Sequence, residues 1–127
     1  MRQVIVHNRS QPQDQLVQVR YCDTFLCQLR GLTFRRQLPL DEGLLLVQGR
    51  DSRLEAAIHM LGVWFDLSIV WINADMLVVD VRKASSWRSV YVPQYPASYV
   101  LEISVDKLRD FRVGDEVFFE EVTQDSH

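Results

Sequence analysis

Over several stretches the chain alternates apolar and polar residues with a period of two, the pattern of strands with a covered face. The strongest case lies at the centre. Leu67, Ile69 and Trp71 alternate with Ser68, Val70 and Ile72, and both sets are apolar enough for a strand covered on two faces. Asn73-Ala74-Asp75 suits a tight connection, after which Leu77, Val79 and Val81 alternate with Met76, Val78 and Asp80 on a return strand. Tyr99, Leu101, Ile103 and Val105 repeat the pattern against Val100, Glu102 and Ser104. Shorter strands are predicted over residues 3–7, 16–21, 44–48 and 116–122, the last entered through the turn Val113-Gly114-Asp115. Residues 8–15 and 85–96 carry prolines and read as connections, and residues 40–43 read as a turn.

After Cys22 the period changes. Phe25, Leu29 and Leu32 fall at i, i+4 and i+7 with Leu26 beside them, which is a helical stripe. Asp23 or Thr24 can cap its first turn, and Leu38-Pro39 lies beyond its end. A second helical turn is predicted near residues 106–111. Together these elements predict a mainly β chain, a compact β-sandwich or barrel-like domain with one short helix in its N-terminal half. The domain spans residues 1–122, and residues 123–127 form a polar, flexible C-terminal tail.

Residues 56–72 are apolar enough to raise the question of a membrane span. His59, Gly62, Asp66 and Ser68 interrupt the run, whereas a span needs about 20 residues with few polar ones. Two buried strands separated by a turn fit better. Hydrophobic residues are 47% of the chain and charged residues 24%, values of an ordinary globular domain. Seventeen acids against fourteen Lys and Arg leave a formal charge of −3, so no global positive field draws in nucleic acid. No secretory signal is read after Arg2, and Cys22 and Cys27 are expected as reduced thiols, which together predict a cytoplasmic protein.

Several segments in succession resemble a known family, the bacterial and archaeal domain-of-unknown-function family 192. They are Arg30-Gly31-Leu32 with Arg35, Gly43-Leu44-Leu45, Ile58-His59-Met60, the strand pair from 67 to 81, Val100-Leu101-Glu102-Ile103, and Gly114-Asp115. The resemblance covers residues 23–119 and implies a small, mostly β fold without assigning an activity. Relatives show a proline, an apolar residue and an aspartate entering the central strand, where this chain has Asp66, Leu67 and Ser68. A basic residue common shortly before is Trp64 here, and a hairpin glycine is Met76.

Candidate chemistry is sparse. His59 between Ile58 and Met60 suits a base or a ligand, but a hydrogen-bonded structural histidine is the plainer reading. Glu55 precedes it by four residues, about 13 Å along an extended strand and too far to share a metal. Arg35, with Arg30 and Arg36, suits either an anion or the negative pole of the helix; it could equally pair with Glu102, an acid on an otherwise apolar strand. Asp66 lies among rings, although a water-exposed turn aspartate is simpler. Trp87, Tyr91 and Tyr95, with Arg82, Lys83 and Arg88, mix aromatics and cations on a loop suited to a base, a sugar or a protein, or else simply close the end of a sandwich. No metal, cofactor, nucleophile elbow or phosphate loop is predicted. The expectation is a non-enzymatic domain binding a small ligand or protein partner through His59, Arg35, Glu102, Asp66, Trp87 and Tyr91. One alternative is a hydrolase-like enzyme using His59 with an acid; another is an oligomeric scaffold.

Overall fold

Valine-, leucine- and isoleucine-rich runs pair into one mixed sheet of seven strands. The architecture is that of a computed structural model describing residues 2–11, 16–24, 27–28, 42–60, 63–87 and 90–122. In chain order the strands are β1 (Gln3–Asn8), β2 (Val17–Cys22), β3 (Glu42–Ser52), β4 (Ile58–His59), β5 (Leu67–Ile72), β6 (Val78–Ala84), β7 (Val90–Tyr91), β8 (Ala97–Ser104) and β9 (Val117–Glu121). A 3-10 helix, Val105–Asp110, follows β8 where the second helical turn was expected. The large sheet runs β6-β5-β8-β3-β2-β1-β9, and β4 and β7 form a separate antiparallel pair. Among the described strands, β2 and β3 are the one parallel pair.

The two edges of the sheet meet. Leu77, just before β6, bridges Glu116, just before β9. The Val78 amide donates to the Asp115 carbonyl (2.9 Å), the Gly114 amide to the Val78 carbonyl (2.8 Å) and the Val117 amide to the Met76 carbonyl (3.0 Å). Of the two predicted architectures, these contacts form the barrel, joining the two edges of the sheet at one end. Met76 holds φ 66° to supply its carbonyl here, a left-handed conformation that glycine would adopt without strain. Its side chain packs on the barrel interior, which offsets part of that cost.

Strand alternation sorts the core into two layers. Inside the barrel lie Val4, Val6, Val17, Val19, Leu45, Val70, Ile72, Leu101 and Ile103. Outside it, Leu44, Leu46, Leu67, Ile69, Trp71 and Val100 form a second cluster, covered by Ala56, Ile58, Met60 and Val63. Each of β3, β5 and β8 is therefore covered on both faces, which is why β5 shows no exposed position. Trp71 Nε1 reaches the Ala56 carbonyl at 2.8 Å, pinning the cover to the barrel.

Three expectations are corrected. Residues 42–43 are strand rather than turn, because Gly43 sits where three strands converge. A Cβ there would lie 2.5 Å from the Glu102 carbonyl oxygen and 2.8 Å from Ile103 Cγ2. The connection 85–96 contains β7, which period could not reveal in two residues. The cysteines are joined by a disulfide, not reduced. Helical spacing was the wrong ruler for them: Cys22 ends a strand and Cys27 belongs to the next helical turn, bringing the Cα atoms to 5.7 Å. His59, expected as a hydrogen-bonded structural histidine, is exposed. Thr24 does cap the helix, accepting at Oγ1 from the Cys27 amide (3.2 Å) and at its carbonyl from the Gln28 amide (3.0 Å). The predicted helix beyond Gln28, with Arg30, Arg35 and Arg36, lies outside the described residues, as do Arg88 and residues 123–127.

Candidate functional site

The segments covering the outer cluster also carry most of the predicted site residues. Their backbone is fastened at several points. Arg53 Nε donates to the Pro93 carbonyl (2.9 Å), and Asp80 Oδ2 accepts from the Gln94 amide (2.9 Å) and lies 3.1 Å from Arg82 Nη2. Tyr91 turns its ring onto the outer cluster while its hydroxyl accepts from the Ser85 amide at 3.0 Å. Asp66, just before β5, accepts at Oδ1 from the Ser86 amide (2.8 Å). These two bonds hold the turn after β6, and so hold Trp87.

Trp87 is the outlier of this region. A bulky residue at φ 61° is a strained backbone, on the order of 1–2 kcal/mol, of the kind that gathers at functional sites. The strain does not bury the ring, which stays 50% exposed. Its indole meets that of Trp64, itself 59% exposed, at a centroid distance of 5.2 Å and an interplanar angle of 82°. Two ring planes at right angles make a corner open to solvent. Asp66 also pairs with Lys83, Nζ 3.8 Å from Oδ2, a half-exposed pair worth little to stability. Asp66 and Tyr91 thus both bond the turn that carries Trp87, and Trp64 is the ring that Trp87 meets. Trp64 and Trp87 stand 23 positions apart on different segments, and nothing in the order of residues announces their contact.

His59 is near this region only through β4. It pairs with Val90 across the small sheet and faces solvent, while its neighbour Ile58 faces the core. Glu55 is engaged elsewhere, by Arg50 at 2.7 and 3.1 Å. No hydrogen bond joins His59 to Asp66 or Glu102 among the described residues.

Glu102 belongs to another place. It stands opposite Leu44 of β3 and Ile69 of β5, so its carboxyl lies on the outer face within the apolar layer. The residue is buried and Oε2 has no hydrogen-bond partner among the described residues. Burial pushes its carboxyl up from the ordinary 4.5 to about 7. Ser68, where relatives carry an acid, faces the opposite way: it pairs with Ile103 of the interior, and its hydroxyl donates to the Val105 carbonyl at 3.3 Å. An ionised aspartate could not make that bond. Ser68 and Glu102 are therefore separated by the sheet. Arg35, the partner expected for Glu102, lies outside the described residues. Among those residues no group of three His, Cys, Asp or Glu is placed to hold a metal ion.

The fold is a small β-barrel, its sheet edges joined at one end, with a strapped-on pair of exposed indoles. Two solved structures share the fold. A protein of Sinorhizobium meliloti 1021 superposes with a TM-score of 0.80 at 20% identity, covering 93% of this chain and 92% of that one. A protein of Novosphingobium aromaticivorans described as of unknown function gives 0.76 at 22%, covering 91% and 83%. The chain belongs to the DUF192 family, described as "Uncharacterized ACR", whose model matches residues 5–119. Among curated relatives, UPF0127 protein TK1120 of Thermococcus kodakarensis is 32% identical over 97 residues, 76% of this chain. A UPF0127 protein of Thermococcus gammatolerans is 34% identical over 99 residues, also 76% of this chain. The matches span 60% and 63% of those two relatives' lengths.

Proposed function

We propose that this chain is a non-enzymatic binding domain whose ligand seats in the corner formed by Trp64 and Trp87. The observation that carries the reading is the strained, half-exposed Trp87 held edge-on to Trp64 by hydrogen bonds from neighbouring backbone. A ring kept in water at a conformational cost gains its return when a ligand covers it. The hydrolase-like alternative draws no support from the geometry, since His59, Asp66 and Glu102 do not converge.

Nucleic acid is not the ligand in this reading. The Sinorhizobium neighbour is described as a "putative transcription regulator", but a likeness at 20% identity speaks for fold alone. Here Arg2, Arg50, Arg82 and Lys83 each lie against a carboxylate, leaving no cationic strip along them for a phosphate backbone. No helix among the described residues is long and apolar enough to cross a membrane. The cytoplasmic expectation loses one of its supports with the Cys22–Cys27 bond, which favours oxidising surroundings.

Trp87→Gly tests the reading. Glycine relieves about 1–2 kcal/mol of left-handed strain and forfeits about 1 kcal/mol of ring contact. Folded stability should stay within about 1 kcal/mol of the parent. In a thermal-shift screen of pooled metabolites, sugars and nucleotides, a ligand at a hundred times Kd contributes about 2.7 kcal/mol. The parent should respond to at least one pool and Trp87→Gly to none. Equal responses from both proteins, or a parent that responds to nothing, would reject the corner as a small-molecule seat and move attention to a protein partner.

A further inference from the structure

We propose that the Cys22–Cys27 pair is a thiol–disulfide exchange site, entered at Cys27 by a partner dithiol and closed again by Cys22. The two sulfurs sit in unlike surroundings. Cys22 ends β2 at 1% exposure, inside the outer cluster with Leu44, Leu46 and Val100, shut off from a thiol in solvent while the chain is folded. Cys27 packs against the same cluster but is only half-buried. Exchange requires a thiolate to reach the sulfur it attacks, so access decides which sulfur is taken first. Burial leaves Cys27 as the point of entry. Cys22, five positions away and bonded to it, is the resolving thiol.

The turn between them is held by bonds that do not involve sulfur. Thr24 Oγ1 accepts from the Cys27 amide at 3.2 Å, and the Thr24 carbonyl accepts from the Gln28 amide at 3.0 Å. Gln28 Nε2 donates to the Cys22 carbonyl at 3.2 Å and to the Val47 carbonyl of β3 at 2.7 Å. Breaking the S–S bond therefore leaves Cys27 tethered beside Cys22, at the high effective concentration of an intramolecular partner. That selects the chemistry of the partner. A monothiol attacking Cys27 forms a mixed disulfide and releases Cys22 as a thiolate, which attacks Cys27 Sγ and expels the monothiol. A dithiol escapes this return, because its second thiol attacks its own sulfur in the mixed disulfide and leaves Cys27 reduced. Two electrons and two protons pass from the dithiol, which closes to its own disulfide, to Cys22 and Cys27, which become thiols. The reverse sequence restores the bond.

Brief alkylation of the reduced parent tests this without any substitution. Protein reduced with dithiothreitol is freed of it under nitrogen, checked for native near-ultraviolet circular dichroism, treated with iodoacetamide, quenched and peptide-mapped. Cys27 should carry about ten times the label of Cys22, or more. In a second arm the reduced parent meets glutathione disulfide. Its intact mass should pass to the oxidised form with no lasting glutathione adduct, whereas Cys22→Ser should keep one adduct on Cys27. Thr24→Val, which removes the Oγ1 acceptor, should slow closure severalfold; closure at the parent's rate would overturn the tether that selects a dithiol. Equal labelling of the two cysteines, preferential labelling of Cys22, or loss of native dichroism on reduction would overturn the exchange site. A stable glutathione adduct on the parent would do the same, since Cys22 would then not resolve it.

Discussion

Replacing Glu102 by Gln isolates the cost of a buried carboxyl. In the folded chain the group titrates at about 7 against 4.5 for an ordinary glutamate, because it sits among Leu44 and Ile69 with Oε2 unpartnered among the described residues. The folded form therefore binds more protons than the unfolded form between those two values. Stability must fall as pH rises across that window, by at most 1.36 kcal/mol per pH unit for one proton. Over the whole window this amounts to about 3 kcal/mol, fully present as stability below pH 4.5 and lost once pH has passed about 7. Gln keeps the shape and cannot ionise. Glu102→Gln should match the parent near pH 4.5 and exceed it by up to about 3 kcal/mol at pH 8. Urea unfolding followed by tryptophan emission at closely spaced pH values measures both curves, with equal m-values as the check that unfolding is the same process. Parallel curves would refute the buried, unpaired carboxyl. A Gln variant weaker than the parent at pH 8 would do so more sharply, since that is the sign expected of an ion pair such as Arg35 with Glu102.

Gly43→Ala should cost on the order of 4 kcal/mol or prevent folding, because the new methyl would strike backbone at 2.5 Å between neighbouring strands; denaturant midpoints decide, and a change under about 1 kcal/mol would contradict the packing. Cys27→Ser, or reduction of the parent, should cost about 2 kcal/mol from the short loop that the disulfide closes; equal midpoints with and without reductant would show that the bond contributes nothing. Asp115 sits at the barrel seam. Burial works to raise its carboxyl, but bonds from the Asn8 side chain, the Arg112 amide and the Gln11 side chain prevail and hold it below its usual 3.8. Its contribution is present above that value and should be lost as pH falls below it, so Asn8→Ala should both destabilise the protein by about 1–3 kcal/mol and flatten the acid limb of the stability profile.

Much of the barrel was legible one strand at a time. Alternation over 67–72 and 99–105 reports a local fact, which face of a strand is covered, and the doubly apolar run of β5 correctly announced cover on both sides. A cap at Asp23 or Thr24 was legible for the same reason, since a cap acts within three residues, and the structure selects Thr24. Three things were decided elsewhere. Gly43 looks like any turn glycine until β2 and β8 close on it, and a Cβ has nowhere to go. The cysteines looked mismatched under one helical ruler because a strand end and a helix start share no common period. Trp87 meets Trp64 through a turn held by Asp66, twenty positions from Ser86, and by Tyr91. Periodicity records how each segment divides its own faces between oil and water. Which segments meet, and therefore which carboxyl is buried and which indole is held at the surface, depends on the register and closure of the sheet, and only tertiary contacts settle those.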